Sequence, residues 1–424
     1  MCVFVIPPFT IKFTPGGEKF NPMNFQSVNV SLIREQNLSL VLQYLLQKSP
    51  QTSRSDLMRL TNLSGTTVSS LVNILLDTGF VSETGVGESI GGRRPITIEL
   101  NPTFRYSMGV DIGASHITCM IVDLKGRLVA RLSEPFDVIH HARATMNRVC
   151  EMIGQTLEAA HLDLSKIAGL GVSIPAPLDG EKQDRLLAFY MPDWEGMVVL
   201  DELRPHLTIP MFLENDANAG SLAEKWWGVG QQHHSLAFIK LGVGVGAGLI
   251  INDEIYRGFA GSAGEIGHTT IESKGRLCRC GNRGCMESYV GIPGILKDVQ
   301  SKRATSDTGP LTIESVIAAA KNGEPVSAEV IQTAGRYLGI AIANLLNLVN
   351  PEIVILNGTI MDAGDLLMRE VVASMLERTL PLRAEFTPIV ASCLGRDAIA
   401  MGAATLVIHN LIQPENVNQF LHFP

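Results

Sequence analysis

The residues best placed to do chemistry in this 424-residue chain lie between Glu265 and Glu287. Glu265-Ile-Gly-His268 is followed by Cys278-Arg-Cys280 and then by Cys285-Met-Glu287. One imidazole and three thiols within eighteen residues (His268, Cys278, Cys280 and Cys285) make a complete tetrahedral set for a structural Zn2+. Glycines between the cysteines allow tight turns around an ion; the alternative is that the thiols are merely buried. Glu265 and Glu287 are not needed for the metal set. A rigid knot would therefore leave two spare carboxylates to face a small polar ligand.

Two further patterns carry chemistry. Glu214-Asn215-Asp216-Ala-Asn218 lies where an apolar strand runs into an alanine-rich helix. Asp216 can act there as a general base toward a hydroxyl, or simply cap the helix. Asp111-Ile-Gly113-Ala-Ser115 and Gly242-Val-Gly244-Val-Gly246-Ala-Gly248 are small-residue turns between apolar strands. Such glycines mean a close backbone approach or only a tight hairpin, and the first turn resembles the phosphate-binding hairpin of the actin, hexokinase and Hsp70 ATPase fold.

The elements that hold these groups follow from periodicity. Tyr106 to Asp111 reads as a strand ending in an acid, Ile117–Val122 as a second strand with Asp123 at its end, and Leu128 begins a third. Upstream, a helical pattern from Leu32 stops at Ser49-Pro50, Ser53 caps a short helix from Arg54 to Leu60, and Ser64 caps a third helix to about Thr78. Leu71, Leu75 and Val68 turn inward on that third helix. Its other face carries Ser64, Gly65, Thr66, Thr67, Ser69, Ser70 and Asn73: small, polar and uncharged. Strands over Phe80–Thr84 and Pro95–Leu100 flank a loop ending in Gly91-Gly92-Arg93-Arg94. This is the pattern of a winged helix-turn-helix, with the third helix suited to the major groove and Arg93 and Arg94 to the minor groove. A helical protein-interaction domain is the alternative, because residues 29–100 carry six basic against six acidic side chains.

Composition bounds the rest. An apolar fraction of 46% supports two or three domains with large cores, and a net charge of -8 excludes general polyanion coating. Seven cysteines are an odd number, and Cys2, Cys119, Cys150 and Cys393 lack framework spacing, which points to a reducing cytoplasm. No run approaches the ~20 apolar residues of a membrane span. Residues 1–28 read as a disordered tail within which Met23 could be the natural start. The apolar Met1–Pro8 lacks the basic region of a signal peptide.

Taken together, Glu265-x-x-His268, Cys278-x-Cys280-Gly-x-x-Gly-Cys285-x-Glu287, the two glycine turns and Asn215-Asp216 resemble the ROK family (repressor, open reading frame, kinase). The resemblance covers about residues 29–410. It implies an α/β chain: a winged helix over 29–100, then a two-lobed actin- and hexokinase-like fold over 101–424, the second lobe at about 219–390 with the zinc site. By that resemblance Asn215, Asp216, Glu265, His268 and Glu287 would hydrogen-bond a sugar, with His268 also on Zn2+. Pro175 to Asp179 and Met191 to Trp194 would add specificity.

Family kinases show Asp-x-Gly-Gly-Thr-Lys in the first turn, where this chain has Asp111-Ile-Gly113-Ala114-Ser115-His116. The second turn, with Gly242, Gly244 and Gly246, and a later one at Asn357-Gly358 are nearly intact. The resemblance thus implies a sugar-responsive transcriptional regulator with operator DNA and a monosaccharide effector as partners, working as a homodimer or tetramer. A sugar-phosphotransferase component is the alternative partner. Were the chain instead a sugar kinase, Asp216 would be its catalytic base, with ATP and Mg2+ as cofactors.

Overall fold

Helix α1 (Val30–Gln47) buries one stripe, Leu38, Val41, Leu42, Leu45 and Leu46. The computed structural model describes residues 30–47, 52–86, 95–178, 186, 191–303, 311–380 and 387–422. The tail, the helix stop at Ser49-Pro50, and Arg93 and Arg94 lie outside the described residues. Helix α2 (Arg54–Thr61) starts at Ser53, whose side chain and that of Asp56 form a reciprocal capping box. Helix α3 (Gly65–Asp77) starts at Ser64 and buries Val68, Leu71, Val72 and Leu75. Strand β1 (Thr52–Ser53), which the sequence pattern did not suggest, joins β2 (Val81–Val86) and β3 (Ile96–Leu100) in a sheet ordered β1-β3-β2. This is the winged helix-turn-helix.

Two five-stranded sheets of identical topology follow. The first contains β4 (Tyr106–Gly113), β5 (His116–Asp123), β6 (Leu128–Pro135), β7 (Ile167–Ile174) and β8 (Met211–Asn215), in the order β6-β5-β4-β7-β8. β4, β5 and β6 form an antiparallel meander, whereas β7 and β8 run parallel to β4. The second contains β9 (Leu236–Leu241), β10 (Val245–Ile251), β11 (Glu254–Ile255), β12 (Ile353–Asn357) and β13 (Ile389–Ala391), in the order β11-β10-β9-β12-β13. Every residue of β7 is buried, as expected of a parallel strand covered on both faces.

Helix α4 (Ala142–Ala160) covers the first sheet, with the one-turn α5 (Val199–Leu203) beside it. Helices α7 (Glu287–Val290), α8 (Ile292–Lys302), α9 (Ile313–Lys321), α10 (Pro325–Leu348) and α11 (Asp365–Leu376) build the outer side of the second lobe. Between the lobes lie α6 (Asp216–Trp227) and α12 (Ala398–Leu411), each packed on one sheet and on the other helix. α12 buries 12 of its 14 residues, as expected of a helix packed between two layers. Gly402 makes the close approach possible, since a Cβ there would sit 1.8 Å from the Ala219 carbonyl oxygen. The short α13 (Val417–His422) returns to the winged helix, where Phe420 stacks edge-on against Phe80. Among the described residues, no helix is long and apolar enough to cross a membrane.

Candidate functional site

The metal set is assembled by a single turn, Ile266–His268, and by a small hairpin bridged at Thr270–Cys285 and Leu277–Arg283. Gly267 lets that turn lie against β10, because a Cβ there would be 2.1 Å from the Val245 carbonyl oxygen. The Cys278 amide donates to the Asn282 carbonyl oxygen at 2.7 Å and closes the loop between the thiols. One ligand atom from each of His268, Cys278, Cys280 and Cys285 falls within 4.8 Å of all the others. Cys280 Sγ and Cys285 Sγ are 3.7 Å apart, as are Cys278 Sγ and His268 Nδ1. A tetrahedral ion with Zn–S bonds of about 2.3 Å sets sulfurs ~3.8 Å apart, so the donors fit a metal such as Zn2+. His268 turns Nδ1 to the thiols and Nε2 toward Glu265, whose Oε2 is 3.9 Å away.

Asn215, Asp216, Glu265, His268 and Glu287 line one small cavity between the lobes, with Pro175, Pro177 and Met191 as its apolar wall. Asn215 caps α6, its Oδ1 accepting from the Ala217 amide at 2.9 Å while Nδ2 donates to the Ala176 carbonyl oxygen at 3.2 Å. Asp216, 5% exposed, begins that helix and is ion-paired to Lys240. Asp216 thus stands one residue inside the cap position, which Asn215 holds. Burial alone would lower the Lys240 ammonium, but Asp216 and Asp111 carry it above the ordinary lysine value. Glu287, at the start of α7, accepts from Arg279 Nε at 2.7 Å, Arg279 NH2 at 3.0 Å and the Val245 amide at 3.0 Å. Burial pushes Glu265 up to about 7; Asp216 and Glu287 push it the same way and Arg279 opposes them. Glu214 sits beneath, 2% exposed, held by Arg257 and by the Asn218 amide group.

The glycine turns divide between two cavities. Gly244 and Gly246 line the cavity of Glu265 and Glu287, which has about 50 Å³. Asp111, Ser115, Gly242 and Gly358 line a larger neighbour of about 420 Å³. Gly113 lies under the His116 ring, which a Cβ would meet at 2.2 Å. In that neighbour Asp111 accepts from Ser173 Oγ at 3.1 Å and lies 3.0 Å from His116 Nε2. Lys240 reaches both cavities.

Sequence reasoning missed Lys240, Arg279 and Arg257. Lys240 was visible as the lone charge in the apolar run before the glycines, and Arg279 as the residue between two metal thiols.

On α3, Ser64, Thr66, Ser69, Ser70 and Asn73 are exposed and Thr67 is half-buried. Ser64 Oγ accepts from the Thr67 amide at 3.2 Å, and Asn73 Oδ1 accepts from Arg54 at 3.3 Å. Arg54 also pairs with Glu83 of β2, so one basic residue ties α3 to the wing strand.

The sequence profile described as "ROK family" matches residues 107–410, beginning just beyond the winged helix. The xylose repressor of Bacillus subtilis (strain 168) is 31% identical over 387 residues, 90% of this chain and 97% of that protein. The DNA-binding transcriptional dual regulator NagC of Escherichia coli (strain K12) is 28% identical, covering 93% of this chain and 96% of its own length. Among solved structures, a ROK family transcriptional regulator, a homolog of the E. coli MLC protein, superposes with a TM-score of 0.78 at 27% identity, over 92% of this chain and 99% of that one. A ROK family glucokinase from Streptomyces griseus, in complex with glucose and AMPPNP, gives 0.65 at 26% identity over 72% of this chain and 99% of its own. The profile over 107–410, the doubled sheet topology and the Cys/His knot identify this chain as a member of the ROK family.

Proposed function

We propose that this chain is a sugar-responsive transcriptional regulator, a repressor that binds operator DNA through residues 29–100 and a monosaccharide between its lobes. The observation that carries the reading is one chain in which a winged helix precedes a cleft whose two phosphoryl-transfer acids are already engaged, Asp111 by His116 and Asp216 by Lys240. The His116 ring stands against one Asp111 oxygen beside the first glycine turn, and Lys240 takes one oxygen of Asp216.

Zn2+ held by His268, Cys278, Cys280 and Cys285 would fix the loop as a rigid wall. The ligand work falls to side chains of the cleft. His268 offers Nε2 to the cavity because Nδ1 is turned to the thiols, and Glu265 stands beside it at 3.9 Å to face the same ligand. Asp216 and Glu287 would accept from sugar hydroxyls, and Asn215 would hold the rim. Ser64, Thr66, Thr67, Ser69, Ser70 and Asn73 would approach base edges, with Arg93 and Arg94 at the wing. Closure of the lobes on sugar would act on DNA through α12 and α13, and the shift in operator affinity is limited to the sugar's differential affinity for the two states. A homodimer in the cytoplasm, presenting two winged helices to half-sites one turn apart, completes the arrangement.

A thermal-shift panel of hexoses and pentoses on zinc-replete protein, with and without ATP and Mg2+, tests the reading. Stabilisation by one sugar, independent of nucleotide, supports it. No response to any sugar sinks it. The larger cavity, with Asp111, Ser115, Gly242 and Gly358 around it, favours a second reading as an ATP-dependent sugar kinase with Asp216 as base. Release of ADP in the same panel would establish that reading instead.

A further inference from the structure

Arg279 stands between two thiols of the knot, yet its side chain leaves the knot and forks onto Glu287 inside the small cavity. Nε meets Oε1 at 2.7 Å and NH2 meets Oε2 at 3.0 Å, a planar bidentate pair. With the Val245 amide also donating to Oε2 at 3.0 Å, both oxygens of Glu287 are engaged. The backbone makes room for the fork, since a Cβ on Gly244 would lie 2.8 Å from Arg279 NH2. Glu287 is 6% exposed, so the guanidinium covers the face of the carboxylate that the cavity offers to a ligand.

Resting on the sugar-binding reading above, we infer that Arg279 is an internal competitor of the ligand. Its two N–H groups occupy the positions that two hydroxyl donors of a sugar would take on Glu287. The ligand class that can exchange with it is a neutral polyol bearing a vicinal diol, because two adjacent hydroxyls reproduce a two-pronged donor. The Arg279 side chain is 38% exposed, which gives it an outward path to solvent when displaced. Arg279 therefore sets the affinity threshold of the cleft, and a ligand with a single hydroxyl at that point does not displace the fork.

The test is calorimetric titration of full-length, zinc-replete Arg279→Met and wild-type protein with a panel of neutral aldoses and their deoxy analogues. Zinc content by metal mass spectrometry verifies that the knot is intact. Arg279→Lys is the second variant, keeping the charge while losing the fork. The competitor model expects Arg279→Met to bind the vicinal-diol sugar about tenfold more tightly and Arg279→Lys to fall between the two. Binding by the variant alone, with wild type silent, supports the same conclusion. Weaker or unchanged binding in Arg279→Met overturns it and makes Arg279 a direct contact or a bystander. If neither protein binds any sugar, the sugar-sensor reading itself fails and the competitor falls with it.

Discussion

Phe420 joins the end of the chain to the beginning of the described residues, and truncating it shows how the two halves are coupled. In α13, Val417, Phe420 and Leu421 are 0%, 2% and 4% exposed and share one apolar cluster with Leu38, Leu42 and Phe80. The Phe420 ring lies 5.8 Å from that of Phe80 at 81°, and Asn418 Nδ2 donates to Glu35 of α1 at 2.9 Å. Burying a phenylalanine and leaving a cavity on its removal are together worth roughly 3–5 kcal/mol. A terminal helix can peel away and relax, so Phe420→Ala should cost about 3 kcal/mol, the lower end of that range. At 1.36 kcal/mol per decade, the opening of this unit becomes on the order of 100-fold more frequent. Hydrogen–deuterium exchange at the Leu38 to Leu46 amides of α1 reads that opening directly. Acceleration of about two decades in α1, with β4 and β9 unchanged, is the expected pattern. Less than about threefold acceleration in α1 would refute the idea that the carboxyl-terminal helix holds the winged helix to the lobes.

Cys285→Ser or chelation should remove the bound Zn2+ and abolish the thermal response to sugar, while α1–α3 keep their exchange protection; a sugar response that survives zinc loss contradicts the role given to His268. Lys240→Met leaves Asp216 buried without its cation, and urea unfolding should show a loss of about 3–5 kcal/mol that Asp216→Asn in the same chain largely restores. A single variant within about 1 kcal/mol of wild type would mean that the pair does not carry the cleft. His409 is driven down to about 4 by burial, with Arg257 adding to the effect. A histidine depressed below its unfolded value is protonated first in the unfolded chain, so stability falls as pH drops from about 6.5 toward 4. Unfolding free energies from urea titration of wild type and His409→Gln should therefore converge by at most about 2 kcal/mol between pH 7 and pH 5, and parallel curves would exclude His409 as the source.

Much of this was legible in the sequence, because each signal was local. Ser53 and Ser64 are cap residues whose hydrogen bonds need only the next turn, and both helices begin where those residues stand. The Cys278-x-Cys280 spacing constrains three donors within eight residues, so the knot needed only His268 from outside it. The five polar cleft residues follow from the family resemblance, whereas their convergence on one cavity depends on β8, β10 and α7 meeting across the lobes. The ion pairs in and beneath the cleft were not legible. Lys240 meets Asp216 across 24 residues and Arg257 meets Glu214 across 43, contacts that periodicity cannot encode. Strand β1 has two residues, too few for an alternating pattern, and exists because Thr52 and Ser53 pair with Ile98 and Thr97. The return of α13 to Phe80 is likewise a property of the folded chain alone.

A regulator that reads DNA and sugar in one chain couples operator affinity to sugar binding. The most direct test of that coupling is binding of full-length, zinc-replete protein to genomic fragments, selected for affinity and then titrated with sugars at fixed salt. A specific operator whose affinity changes at least tenfold with one sugar is expected, with the response lost in Glu265→Ala although DNA binding is retained. Specific DNA binding that no sugar alters, or sugar binding with no preferred DNA, would contradict it.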